Sequence, residues 1–234
     1  MRMVAVVLGG GVGQRLGAEM PKQLLTLGGM TLVERCVAAF EAAPGVHEIL
    51  VVMARGYAEQ VKVMLADGGY GKVSAVIEGG ARRPDSVRAA LAAIAAGAGP
   101  DDCVVLLHDA ARPLVDQRII ADCVAALEVH QAAGVAVPAS DTIVITENGV
   151  MQSVPRRETL LRCQTPQCFR LSVIARAHEL AAADPAFAPT DDCGVVLRYL
   201  PGVEVHVVAG SERNMKITYP LDLALAEALL ASQA

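Results

Sequence analysis

The chain has 234 residues, 53% of them hydrophobic and 19% charged, with a formal net charge of −5. This composition buries one sizeable core, and the length is too short for two ordinary domains with a linker, so a single domain over residues 1–234 is expected. The acidic balance, with no Lys/Arg run, argues against a nucleic-acid partner, and no apolar stretch approaches the roughly 20 residues that span a membrane.

The first element is the run Met3-Val4-Ala5-Val6-Val7-Leu8, short, β-branched and ended by glycines, which reads as a buried strand. It starts without the charged region, apolar stretch and cleavage site of a signal peptide. Residues 31–43 read as a helix, with Thr31 as cap, Glu34 three residues on and Pro44-Gly45 as the stop. Strands follow at 48–53, 72–77, 102–107 and 134–138, and helices at 57–66, 84–96 and 117–131. Residues 142–146 and 150–154, joined through Glu147-Asn148-Gly149, read as a β-hairpin, so an arm is expected at about 139–160. A helix at 172–183, a strand at 203–208 and a closing helix at 221–230 complete the chain.

Strands alternating with helices imply a Rossmann-like α/β fold, a three-layer sandwich with a mostly parallel sheet and the protruding β-hairpin arm. In such sheets ligands sit beyond the C-terminal ends of the strands. The loops after Leu8, Ile77, Leu107 and Val137 are therefore expected to line one site. Six cysteines form no Cys-x-x-Cys and read as small buried hydrophobes of a reducing compartment, so a cytoplasmic location is expected.

Four motifs carry candidate chemistry. The first is Gly9-Gly10-Gly11-Val12-Gly13-Gln14-Arg15-Leu16-Gly17, followed by Pro21-Lys22-Gln23. A glycine loop after a strand lets backbone N–H groups approach phosphate oxygens. No Gly-Lys-Ser/Thr ends it, and Leu16 stands where a dinucleotide fingerprint needs its third glycine, so neither a P-loop nor a dehydrogenase is indicated. A loop carrying Arg15, with Lys22 seven residues later, suits a triphosphate under attack, where fixed cations stabilise developing charge.

The second motif, Gly79-Gly80-Ala81-Arg82-Arg83-Pro84-Asp85-Ser86, opens a helix. It reads either as a base or ribose site, using backbone groups and the Ser86 hydroxyl, or as a capped helix start with two solvated arginines. The third is His108-Asp109-Ala110-Ala111-Arg112-Pro113. Asp109, a carboxylate at the end of a buried strand, is costly unless paired or metal-bound, so Mg²⁺ or a substrate hydroxyl is a candidate partner and Arg112 a phosphate ligand. The alternative is a structural Asp109–Arg112 pair capping the next helix. The fourth group, Asp141-Thr142, Arg157, Thr165-Pro166-Gln167, Thr190-Asp191-Asp192 and Lys216, is weak residue by residue.

Taken in order, these motifs and Asn214-Met215-Lys216-Ile217-Thr218 resemble the 2-C-methyl-D-erythritol 4-phosphate cytidylyltransferases over essentially the whole chain. The resemblance implies transfer of a cytidylyl group from CTP to a sugar-alcohol phosphate, with Mg²⁺ bridging the triphosphate. Arg15 and Lys22 would stabilise the transition state, with Arg157 and Lys216 completing the catalytic set. Gly9, Gly10, Gly11, Gly13, Gly80, Asp85, Ser86 and Ala110 would hold the nucleotide. Asp109, Arg112, Thr142, Arg157 and Lys216 would position the acceptor, with Asp109 also a candidate metal ligand. The arm would build a homodimer in which Thr142 and Arg157 complete the neighbour's site. Spacing to Thr165-Pro166-Gln167 selects Arg157 over Arg156. Ribitol 5-phosphate is the alternative acceptor, and a non-catalytic nucleotide-binding module the alternative class.

Overall fold

The computed structural model describes residues 1–11, 20–97, 103–184 and 186–232. The chain begins with β1 (Arg2–Gly9), then a two-stranded turn, β2 (Thr26–Leu27) and β3 (Met30–Thr31), which leads into α1 (Leu32–Glu41). The expected capping box is present: Thr31 Oγ1 accepts from the Glu34 N–H at 3.2 Å, and the Glu34 carboxylate accepts from the Thr31 N–H at 3.3 Å. Next come β4 (Glu48–Met53), α2 (Ala58–Asp67), β5 (Val73–Glu78), α3 (Arg83–Gly97), β6 (Cys103–Asp109), α4 (Gln117–Val129) and β7 (Ala132–Pro138). The arm is β8 (Ile145–Glu147) and β9 (Val150–Ser153), turned by Asn148 and Gly149 at φ 51° and 78°, as an Asn-Gly hairpin requires. Then follow β10 (Leu161–Arg170), α5 (Leu171–Ala182), α6 (Asp192–Tyr199), β11 (Val205–Ala209) and α7 (Pro220–Ala231).

Seven strands form one sheet in the order β11-β7-β10-β6-β1-β4-β5, parallel throughout except for β10. Side chains alternate along β1: Met3, Ala5 and Val7 pack with α1, α2 and α4, while Val4, Val6 and Leu8 pack with α3, α5 and α6. Both faces are covered, so the central strands carry the continuous apolar runs typical of buried parallel sheets. Chain direction across the sheet reverses between β1 and β6, where Leu8 lies opposite Asp109. This is the switch point at which open α/β sheets bind ligands.

Besides the short β2 and β3, two larger elements depart from the sequence reading. β10 lies between the expected arm and the expected helix at 172–183, where the sequence reading places no element. It crosses the sheet antiparallel between β6 and β7, with a register shift between Cys163 and Gln167 that accommodates Pro166. α6 is the second. Asp191 caps it, its carboxylate accepting from the Gly194 N–H at 3.0 Å.

Candidate active site

At the C-terminal edge of the sheet a cavity of about 760 Å³ opens over the switch point, within the size range of small-ligand sites. Leu8 near the end of β1 with Gly10 and Gly11 beyond it, Arg55 after β4, residues 79–83 after β5, and Asp109 at the end of β6 with Ala111 beyond it line the cavity. Lys22, Gln23, Ser86, Lys216 and Thr218 complete the wall. Arg15 and Gly13 lie outside the described residues.

The glycine positions are set by close approach. A Cβ on Gly10 would sit 2.7 Å from Ser86 Oγ, and one on Gly80 would collide with Asp85. Ser86, buried, accepts from the Gly80 N–H at 3.1 Å and so ties the β5 turn to α3. Asp85 faces its own helix start. Its carboxylate accepts from the Arg82 N–H at 3.1 Å and pairs with Arg82 and Arg88, which holds its pKa below the usual carboxylate value, the Arg82 contact first. The β4 and β5 turns are joined by the Gly79 N–H on the Met53 carbonyl at 2.7 Å and the Gly56 N–H on Glu78 at 2.8 Å. That joint brings Arg55 into the wall.

The end of β6 is a fixed polar frame. The Asp109 N–H donates to Thr165 Oγ1 at 3.1 Å, and Thr165 Oγ1 lies 3.0 Å from His108 Nδ1. His108 Nε2 is 3.0 Å from the Arg112 carbonyl, which only accepts, so Nε2 carries the proton and Nδ1 accepts from the threonine hydroxyl. Burial drives the His108 pKa down to about 4, so the ring is neutral at pH 7. Arg112 makes no direct pair with Asp109. Its guanidinium donates to the carbonyls of Asn214 at 2.8 Å and Cys163 at 3.3 Å, and α4 is capped by Asp116 instead. Arg112 is thus a strut that fastens the segment carrying Lys216 to β6 and β10, and the capping pair considered from the sequence does not form.

Asp109 binds two cations: Lys216 Nζ at 2.7 Å and Arg83 Nε at 3.5 Å. Burial pushes its carboxyl up, but Arg83, Lys216 and Arg112 outweigh that and hold the pKa far below the usual carboxylate value. Lys22 Nζ donates to the Ile217 carbonyl at 2.9 Å, which sets it beside Lys216 in the same wall. Among the described residues no group of three His, Cys, Asp or Glu side chains is arranged to hold a metal. Asp109 is the acidic residue in the described wall, a donor set that fits Mg²⁺ carried by phosphate oxygens with at most one protein carboxylate.

Other expected residues lie elsewhere. Ala110 is fully buried: its N–H donates to the Leu8 carbonyl at 3.0 Å, and its neighbour Ala111 reaches the cavity instead. Gly9 is backed closely by its neighbours: a Cβ there would lie 2.7 Å from Met53 Sδ and 3.5 Å from Gln23. Thr142 and Arg157 meet each other at 2.8 Å, both exposed at the base of the arm and outside the described cavity wall. Arg156 is exposed and faces Glu158.

Sequence reasoning missed Arg55 and the inward turn of Arg83. Arg55 follows the strand end at Met53, the same signal that marks the loops after Leu8 and Ile77. Arg82 is solvated as one reading had it, whereas Arg83 turns in to Asp192 at 2.7 Å.

The family described as IspD: 2-C-methyl-D-erythritol 4-phosphate cytidylyltransferase matches residues 3–232. The chain is 53% identical to the 2-C-methyl-D-erythritol 4-phosphate cytidylyltransferase of Thermobifida fusca (strain YX), over 98% of this chain and 93% of that protein. The fold is similar to the crystal structure of the Thermus thermophilus protein of the same name, with a TM-score of 0.75 and 35% identity over 97% of this chain and 98% of the other. It is also similar to the 4-diphosphocytidyl-2C-methyl-D-erythritol synthase of Anaerococcus prevotii DSM 20548, with a TM-score of 0.85 and 25% identity over 98% of this chain and 96% of the other. On this full-length likeness the chain belongs to the 2-C-methyl-D-erythritol 4-phosphate cytidylyltransferase family of nucleotidyltransferases.

Proposed function

We propose that the protein transfers the cytidylyl group of CTP to 2-C-methyl-D-erythritol 4-phosphate, releasing pyrophosphate. The observation that carries the reading is the convergence of two ammonium groups from opposite ends of the sequence, Lys22 on the Ile217 carbonyl and Lys216 on Asp109, in one cavity at the switch point.

A phosphate oxygen of the acceptor attacks the α-phosphorus of CTP. The new P–O bond forms as the bond from the α-phosphorus to the bridging oxygen breaks, and the electron pair leaves with pyrophosphate. The nucleophile is already an anion, so no covalent enzyme intermediate or general base is required. Catalysis is positioning plus charge stabilisation. Lys22, with Arg15, serves the α-phosphate and the leaving group. Lys216, fixed by Asp109, meets the acceptor phosphate. The glycine turns at 10–11 and 79–80, with Ser86, hold the nucleoside. Mg²⁺ bound with the triphosphate would neutralise charge on the departing pyrophosphate, and Asp109 is the carboxylate of the described wall that would hold it.

The active form is a homodimer built on the arm. Ile145, Val150 and Met151 are 53%, 60% and 71% exposed on a two-stranded hairpin that, among the described residues, pairs only with itself, an apolar surface suited to a second copy. The site of action is the cytoplasm, a reading supported by six free cysteines, five of them buried.

The test is purified protein with CTP, Mg²⁺ and either methylerythritol phosphate or ribitol 5-phosphate, read by pyrophosphate release and product mass. CDP-methylerythritol is the expected product. Preference for ribitol phosphate would replace the acceptor, and CTP binding without pyrophosphate release would reduce the protein to a nucleotide-binding module.

A further inference from the structure

Asp192, the first residue of α6, is fully buried. Arg83 Nη2 donates to its Oδ2 at 2.7 Å, and His178 Nε2, from α5, donates to its Oδ1 at 2.9 Å. The helix N-terminus adds favourable potential for the carboxylate. The Gln167 side-chain carbonyl accepts from the N–H groups of Asp192 and Cys193 at 2.8 and 3.0 Å and fixes that terminus against β10. Arg83 also faces Asp109, but at 3.5 Å, while Asp109 gives its other oxygen to Lys216 at 2.7 Å. From cavity to interior the charges alternate: Lys216, Asp109, Arg83, Asp192.

A guanidinium beside a single carboxylate forks onto both oxygens. Here the fork is divided between two carboxylates, and the buried one holds it more closely. We propose that Asp192 is a positioning residue: by anchoring Arg83 it keeps the guanidinium from occupying both oxygens of Asp109 and so leaves Asp109 to hold Lys216 in place for the acceptor phosphate. The proposal rests on the cytidylyltransferase reading and assigns that site a support four side chains deep.

The experiment compares wild type, Asp192→Asn and the double variant Arg83→Met/Asp192→Asn. Each is measured for turnover, for KM of each substrate and for melting temperature. In Asp192→Asn the freed guanidinium turns onto Asp109, so the acceptor KM rises about tenfold or more while the KM for CTP stays within about twofold. In the double variant the competing guanidinium is gone, and the acceptor KM returns to within about threefold of wild type. A purely structural role would lower melting temperature and active fraction without splitting the two KM values. If Asp192→Asn fails to fold, the charge-balanced double variant, a buried ion pair replaced as a pair being commonly tolerated, still overturns the proposal when its acceptor KM is impaired about tenfold. An unchanged acceptor KM in Asp192→Asn, or a double variant still impaired about tenfold, overturns the proposal. A wild-type protein without pyrophosphate release overturns the functional reading itself, and the proposal with it.

Discussion

Lys22 Nζ donates a 2.9 Å hydrogen bond to the backbone carbonyl of Ile217, 195 residues further along the chain. The bond orients the Lys22 ammonium toward the segment that carries Lys216. On the proposed mechanism, charge that grows as the α-phosphorus is attacked would be met by a group already in place. Lys22→Ala is therefore expected to cut kcat by about 10² to 10³, the range seen when one preorganised donor to a developing anion is removed. The KM for CTP should change by much less, since the contacts expected for base and ribose lie at other turns. Steady-state kinetics at saturating acceptor give the answer, and near-normal turnover would remove Lys22 from the mechanism.

The neutral His108 makes a separate prediction about stability. Its pKa is about 4 in the folded protein, against an ordinary value of 6.5, chiefly because the ring is buried. Between those values the unfolded chain binds a proton that the folded chain excludes, so stability falls as pH drops through the window and is unaffected above it. The full effect is about 3 kcal/mol. Asp109 acts lower: with its folded pKa depressed, its contribution is present above the ordinary carboxylate pKa and is lost only as pH falls below it. Urea midpoints measured from about pH 7 down to about pH 4.5 should slope downward for wild type and be flatter for His108→Gln. Parallel slopes would show that His108 does not set acid sensitivity.

Gly10 and Ser86 form a coupled pair across the nucleotide turn. A methyl group on Gly10 would lie 2.7 Å from Ser86 Oγ, on a side chain already engaged by the Gly80 N–H. Gly10→Ala must displace either the hydroxyl or the glycine loop, and both lie at the expected nucleotide contact. The KM for CTP should rise about tenfold, a loss on the order of 1.4 kcal/mol. Ser86→Ala removes the obstructing oxygen, so Gly10→Ala should cost markedly less in that background. Additive losses in the double-mutant cycle would mean that the two residues act independently.

What the sequence made legible follows from how local each signal is. β1 and β6 are apolar runs buried on both faces, and α1 carries both halves of its capping box within four residues. The arm turn is written in Asn148-Gly149. β10 was hidden because its middle, Gln164-Thr165-Pro166-Gln167, is polar and contains a proline. Those residues are buried by partners far away, such as Asn214 on the Thr165 carbonyl at 2.8 Å. α6 is only eight residues long, and its one local signal is the Asp191 cap. At the site, strand ends located the cavity, yet the loop after Val137 leaves for the arm, whereas the loop after Met53 supplies Arg55. Nothing near Arg82 and Arg83 tells which turns inward, because the choice is made by Asp192, 109 residues away.

Arg157 lies at 2.8 Å from Thr142 at the base of the arm, outside the described cavity wall. If the arm carries this pair into a neighbouring cavity, each site in a symmetric dimer combines Lys22 of one subunit with Arg157 of the other. Arg157→Ala and Lys22→Ala are each expected to be nearly inactive alone. Mixed, dissociated and reassociated, they form heterodimers in which one site has both residues intact and the other has neither. With random exchange about one quarter of all sites recover, an outcome that a site built within one subunit cannot give. Adding Ile145→Asp and Met151→Asp to both chains places charge on the exposed apolar face of the arm, which should convert the dimer to monomer by analytical ultracentrifugation and abolish the recovery. Absence of complementation, with heterodimers demonstrated by mass, would return Arg157 to its own subunit or remove it from catalysis.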